Sequence, residues 1–142
     1  MMYAIVLLLL VTLASGFRMP SGLSGLGARL NLARNYKTFD EFLESQELPV
    51  LVDFYAEWCG PCKMMQPVLE DVANRLDNVA KIAKVDTDKS PRLGNRFQVE
   101  ALPTLILFSK GKVVERFMGY RSADDLEAEV KAALARLQAG GA

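Results

Sequence analysis

Apolar positions along the chain come in blocks of two periods. Thr38 followed three residues later by Glu41 reads as a capping box, opening a short helix to about Ser45 with Phe39, Phe42 and Leu43 as its apolar stripe. Pro49 to Ala56 form a β-rich, nearly continuous apolar run, the pattern of a strand buried on both faces of a sheet. One acid, Asp53, interrupts it. After Trp58-Cys59-Gly60-Pro61-Cys62-Lys63 the period becomes helical, with Met65, Val68, Leu69, Val72 and Leu76 apolar. Pro67 lies inside that helix and is expected to kink it, because it lacks an amide donor and crowds the preceding turn.

Val79 to Asp86 reads as a strand, with Ile82 and Val85 apolar and charges between them. Ser90-Pro91 looks like a cap and first turn, leading to a short helix through about Phe97. Thr104 to Phe108 is a strand, Lys110-Gly111 a hairpin turn, and Val113 to Phe117 the antiparallel mate. Ser122 caps a last amphipathic helix, with Leu126, Val130, Leu134 and Leu137 on one face, ending at Gly140-Gly141. An edge strand near Leu30 to Ala33 is a further candidate. Strands that alternate with helices imply parallel pairing through right-handed crossovers, and the terminal hairpin adds an antiparallel part. The expected architecture is α/β, a mixed central sheet of four to five strands with helices on both faces.

Composition narrows the chemistry. The 142 residues fit one domain, and with 51% apolar and 24% charged residues the chain can bury a real core without a disulfide staple. There is no His, which excludes Ser-His and Cys-His nucleophile pairs, histidine metal sites and imidazole acid-base catalysis. Two Cys cannot alone make an all-thiolate zinc or iron-sulfur site. Chemistry falls to cysteine, carboxylate or lysine, with no metal and no cofactor expected.

The zero net charge hides an asymmetry. Residues 1–39 hold four basic residues and no acid, leaving 13 basic against 17 acidic residues in 40–142, a net of −4. A mildly acidic body without a basic stripe offers no footprint for nucleic acid. The basic leader is different material. Residues 4–13, AIVLLLLVTL, followed by Ala14-Ser15-Gly16, place small residues at −3 and −1 of a cut before Phe17. That is the design of a signal peptide over 1–16, although Met1-Met2-Tyr3 carries no basic side chain. The run is too short for a helix to cross a hydrocarbon core of ~30 Å, so no mature membrane anchor is expected. Residues 17–35, rich in Ser, Gly and Arg and free of acid, have the composition of an organelle transit peptide or disordered leader. The junction Ala14-Ser15-Gly16-Phe17 resembles the Ala-Ser-Ala-Phe junction of bipartite presequences in algae with secondary plastids, with Gly16 in place of Ala. Plain secretion is the competing reading.

Two cysteines separated by two residues, after a buried strand and at the start of a helix, have the geometry of a redox dithiol. The helix N-terminus favours anions, so Cys59 is the expected nucleophile, with a lowered pKa, and Cys62, one turn in and less exposed, the resolving thiol. A bare CxxC can also be a structural or metal half-site. Asp53, six residues before Cys59 on the core strand, is desolvated there; its pKa should rise, letting it take and return the Cys62 proton. The alternative is an Asp satisfied by backbone or by a lysine, and Lys84 on the neighbouring strand can supply that lysine and tune the acid. Pro103 stands where a cis bond could make a tight turn, although these residues by themselves favour an ordinary strand-start proline.

From about Thr38 to the final helix the residues resemble the thioredoxin family. Residues 52–63, Val-Asp-Phe-Tyr-Ala-Glu-Trp-Cys-Gly-Pro-Cys-Lys, match its active-site signature nearly without change. Pro67, Lys84-Val85-Asp86, Leu102-Pro103-Thr104 and Gly119 match its kinking proline, Asp-pairing lysine strand, cis-proline loop and site-side glycine. The resemblance implies a thioredoxin fold over residues 36–142, a Cys59–Cys62 disulfide, and a flat apolar docking surface made by Trp58, Gly60, Pro61, Leu102, Pro103, Met118 and Gly119. In the family the backbone before the cis-proline pairs with substrate in β fashion. Glu100 to Thr104 and the leader are most similar to the y type of plastid thioredoxins.

The resemblance implies a monomeric protein-disulfide reductase. Gly60-Pro61 between the cysteines, with no His there, favours a reducing potential of roughly −270 mV over the oxidants of the same fold near −120 mV. Implied partners are a ferredoxin- or NADPH-dependent thioredoxin reductase upstream and peroxiredoxins, methionine sulfoxide reductases or light-regulated plastid enzymes downstream. The expected location is the chloroplast stroma, reached through the secretory pathway, with secretion or the ER lumen as the alternative. Two other readings stand beside it. One is a secretory-pathway disulfide oxidoreductase, favoured by the signal-like leader and opposed by the absence of an ER-retention ending. The other is a thioredoxin-fold binding subunit without turnover.

Overall fold

A computed structural model describes residues 36–140. The expected signal segment, transit segment and edge strand at Leu30 to Ala33 lie outside these residues. The elements are α1 (Phe39–Glu44), β1 (Val50–Tyr55), α2 (Gly60–Arg75), β2 (Lys81–Asp86), α3 (Pro91–Arg96), β3 (Thr104–Ser109), β4 (Lys112–Met118) and α4 (Ala123–Gly140). Among the described residues the sheet has four strands in the order β2-β1-β3-β4, with β1 parallel to β2 and antiparallel to β3, and β4 antiparallel to β3.

Strand alternation on β1 divides the core. Leu51 faces α2 and α4, packing with Met65, Leu69, Val72, Leu126 and Val130. Val50, Val52 and Phe54 face the other way, toward Phe42, Leu43, Ile106 and Phe108, with Leu93 and Phe97 packed against them. Helices therefore cover both faces. Each fully buried Leu or Phe contributes roughly 1.5–3 kcal/mol, so either layer is large enough to carry one buried acid.

Local chemistry explains the boundaries. Thr38 Oγ1 accepts from the Glu41 amide at 3.1 Å, while the Glu41 carboxylate accepts from the Lys37 amide at 2.8 Å, one residue before the cap itself. The helix α2 runs unbroken through Pro67. The strand expected from Val79 starts only at Lys81, because the amides of Val79 and Ala80 donate to the Leu76 carbonyl and close the end of α2. Within β2 the buried pair is Ala83 and Val85, and Ile82 belongs to the opposite face. Ser90 precedes α3 as expected, but its hydroxyl makes no cap hydrogen bond.

Lys110 and Gly111 both have positive φ, 48° and 78°, which a two-residue hairpin turn with a right-handed twist requires. In β4 the pairing slips between Leu107↔Glu115 and Phe108↔Val113, leaving Val114 as a bulge. Ser122 Oγ accepts from the Asp125 amide at 3.2 Å and starts α4. Leu137, expected on the core face, is 43% exposed, because the apolar layer already ends at Leu134. Among the described residues no helix is long and apolar enough to cross a membrane.

Candidate functional site

The C-terminal end of β1 leads through Ala56, Glu57 and Trp58 into α2, and Cys59 occupies the cap between them. Its backbone is extended, at φ −76° and ψ 110°, and its amide donates to the Ala56 carbonyl at 3.2 Å. The Cys59 Sγ accepts from the Cys62 amide at 3.2 Å, the place a serine or aspartate oxygen takes in ordinary caps. Gly60 and Pro61 form the first turn, where proline's missing donor leaves no carbonyl unserved. Cys59 and Cys62 form a disulfide with their Cα atoms 5.3 Å apart and a sequence separation of 3.

A thiolate at Cys59 would receive the same amide and lie on the positive end of a 16-residue helix. The expectation that Cys62 is the less exposed thiol is not met in the disulfide form, where each residue is 4% exposed. What distinguishes them is position, since only Cys59 is the cap. Both pack with Ala56, Tyr55 and Leu102.

Leu102–Pro103 is a cis peptide, which resolves the two readings of Pro103. Pro103 itself is buried and Leu102 half-buried, so of the expected docking residues these two form the floor. Trp58 and Met118 are 71% and 62% exposed, and Gly60 and Pro61 are also exposed. Gly119, half-buried with φ 80°, donates its amide to the Pro103 carbonyl at 2.8 Å. Large apolar side chains at the surface otherwise cost free energy in water, so Trp58 and Met118 are the exposed apolar groups that the expected docking surface would need.

Sequence reasoning missed several neighbours. Met64 and Tyr120 are also exposed, and their signal was present: Met64 lies off the core stripe of α2, and Tyr120 follows Gly119. Trp58 Nε1 donates to Asp88 Oδ2 at 3.0 Å, a pairing across 30 residues that no local pattern announces. Beside Trp58 opens a groove of about 290 Å³ lined in part by Thr87, Pro91, Asn95, Glu100 and Leu102.

Asp53 is 1% exposed, and neither carboxyl oxygen has a hydrogen-bond partner. Burial pushes its carboxyl up to about 6, with the positive charge of Lys84 pulling the other way. Lys84 is the direct cross-strand partner of Asp53 but is exposed, with its Nζ 4.5 Å from the centroid of the Tyr55 ring. The acid is therefore satisfied neither by backbone nor by a lysine hydrogen bond. Such a carboxyl exchanges protons near neutrality, where an ordinary Asp would stay ionised. Among the described residues no three His, Cys, Asp or Glu converge to hold a metal.

Comparison with known proteins agrees with this geometry. A family model described as Thioredoxin matches residues 31–132. The chain is 43% identical over 127 residues to Thioredoxin Y, chloroplastic, of Oryza sativa subsp. japonica, covering 87% of this chain and 76% of that protein. It is 43% identical over 109 residues to Thioredoxin Y2, chloroplastic, of Arabidopsis thaliana, covering 77% of this chain and 65% of that one. Among solved structures, a single-site mutant of thioredoxin from Halobacterium salinarum NRC-1 is similar with a TM-score of 0.60 at 39% identity, covering 65% of this chain and 80% of that chain.

Proposed function

The chain belongs to the thioredoxin family, a family of thiol-disulfide oxidoreductases, and from that premise we propose how its residues divide the work of protein-disulfide reduction. The Cys59 thiolate attacks one sulfur of a target disulfide, forming a mixed disulfide and releasing the target's other sulfur as a thiolate. Asp53 takes the proton of Cys62, and the Cys62 thiolate then attacks Cys59 Sγ. The second target sulfur leaves, the target gains two electrons, and the Cys59–Cys62 bond forms. A thioredoxin reductase returns the two electrons.

The observation that carries the reading is the disulfide at the start of α2, with Cys59 as cap and the cis Leu102–Pro103 bond beside it. Trp58, Gly60, Pro61, Met118 and Gly119 receive the target around the disulfide, over Leu102 and Pro103. Lys84 tunes Asp53. Residues 36–142 act as one thioredoxin domain.

The names of the plastid relatives support a plastid location for this chain as well, with 1–16 and 17–35 as its signal and transit segments. That route rests on the sequence of the leader alone; fusing residues 1–35 to a fluorescent protein tests it, and fluorescence retained in the secretory pathway would exclude it. The proposed targets are peroxiredoxins, methionine sulfoxide reductases or light-regulated enzymes. The reduction potential tests the direction of electron flow. A value near or below about −270 mV, the range of thioredoxins, supports a reductase, whereas one above about −200 mV makes the protein a disulfide donor.

A further inference from the structure

Lys84 faces Asp53 across the β1–β2 pairing, and Tyr55 lies two residues along β1, on the same face of the strand as Asp53. The ammonium makes no hydrogen bond to the carboxyl, and instead lies over the aromatic ring, 4.5 Å from its centroid. A lysine with an exposed, four-carbon stem has many rotamers open to it, and its ammonium is strongly hydrated. The π face is the feature that holds it in one of them.

We propose that Tyr55 is a positioning residue: its ring holds the Lys84 ammonium on the face of the β1–β2 pair that carries the buried Asp53 carboxyl, and thereby sets how firmly that carboxyl holds its proton. The proposal rests on the proton-transfer role given above to Asp53. The surroundings leave this task to one cation. Across β3 the partner of Asp53 is Leu105, and the inward residues of α2, Cys62, Met65 and Leu69, carry no charge in the disulfide form. Asp86, Lys89 and Glu57 surround Tyr55, but Lys89 is tied to Glu57 at 2.8 Å and to Asp86 at 3.0 Å. The positive field acting on Asp53 comes from Lys84. Without the ring, the ammonium moves out into solvent rather than into the buried site, where it would lose its hydration.

The test is an NMR titration of the Asp53 carboxyl carbon in the oxidised full chain, where Cys59 and Cys62 do not titrate. Tyr55→Leu should raise the midpoint by part, and at most all, of the rise that Lys84→Met produces, because the positive field that lowers it moves out into solvent. Tyr55→Phe, which keeps the ring, should leave it in place. Lys84→Met should raise it at least as far, and adding Tyr55→Leu to Lys84→Met should change nothing more. Equal effects of Tyr55→Leu with and without Lys84 would show that the ring acts by burial alone and overturn the proposal, as would a shift in Tyr55→Phe equal to that in Tyr55→Leu. If Tyr55→Leu does not fold, Tyr55→Trp offers a stronger face and should keep the midpoint at or below the native one; a rise would overturn the idea. The titration needs no target protein, so failure of Asp53 as a proton carrier would show separately, as a pH–rate profile that ignores its midpoint.

Discussion

The amide of Gly119, at the end of β4, donates to the carbonyl of Pro103 at 2.8 Å, tying the last strand to the cis-proline loop. With φ at 80°, Gly119 holds a conformation that costs an L-residue roughly 1–2 kcal/mol, and a Cβ there would meet no heavy atom within 4 Å. Gly119→Ala is therefore expected to fold, with a loss of stability of that order. Its methyl would stand beside the proposed docking face, so KM for a protein target should rise several-fold while kcat changes little. Steady-state kinetics with a protein disulfide separates the two.

Cys59→Ser should abolish reductase activity. Cys62→Ser should keep the first attack, lose the second and accumulate mixed disulfides with targets, visible on non-reducing gels. Turnover by the Cys62→Ser protein would reverse the roles given to the two thiols.

Asp53 makes stability depend on pH in a definite direction. Its carboxyl ionises at about 6 in the folded protein, against 3.8 as the ordinary value, so the folded state holds its proton longer than the unfolded chain does. Stability is fully present below about pH 4, falls as pH rises toward 6, and levels off above that. The loss is at most about 3 kcal/mol. Chemical denaturation of the native protein and Asp53→Asn at pH 4 and pH 8 should show the native protein losing that much relative to the variant. Asp53→Ala should also slow exchange, and equal native and variant rates from pH 6 to pH 8 would remove Asp53 from proton transfer.

Glu100 lines the groove beside Trp58 and has no ion pair among the described residues. A cationic side chain next to a target disulfide should gain from it, by the ~0.2–1 kcal/mol of an exposed pair. Glu100→Lys should invert the preference between peptide disulfides flanked by Lys and by Glu, by roughly two- to fivefold either way, and added salt should erase the difference. Selectivity ratios that ignore the substitution would remove Glu100 from recognition.

Legibility in the sequence followed the range of the interactions. Thr38 with Glu41, the βα turn carrying Cys59, the Lys110-Gly111 hairpin and the Ser122 cap are each decided within a few residues, and each stands where the pattern puts it. Long-range relations were not legible: the bulge at Val114 depends on pairing with β3, and Leu137 is exposed because the apolar layer stops short of it. One local boundary was also misjudged, since the amides of Val79 and Ala80 close the preceding helix on Leu76 although their side chains suit a strand. At the site, composition and spacing singled out Cys59, Cys62, Asp53 and Pro103 as candidates, and the resemblance pointed to the cis bond at Pro103. The indole bond to Asp88 and the seat of Lys84 on Tyr55 needed the folded geometry, since both join residues about thirty positions apart.

The disulfide closes a ring of only a few residues, with a sequence separation of 3. By loop-closure entropy such a ring restricts the unfolded chain by about 2 kcal/mol, against roughly 3 for a 15-residue loop and nearly 5 for a 100-residue one. Opening it leaves β1, α2 and the apolar layers on both sheet faces without a lost long-range tether. Breaking this bond therefore returns less freedom to the unfolded chain than breaking a cystine between distant segments would, so reduction should cost this fold less stability than the loss of such a staple.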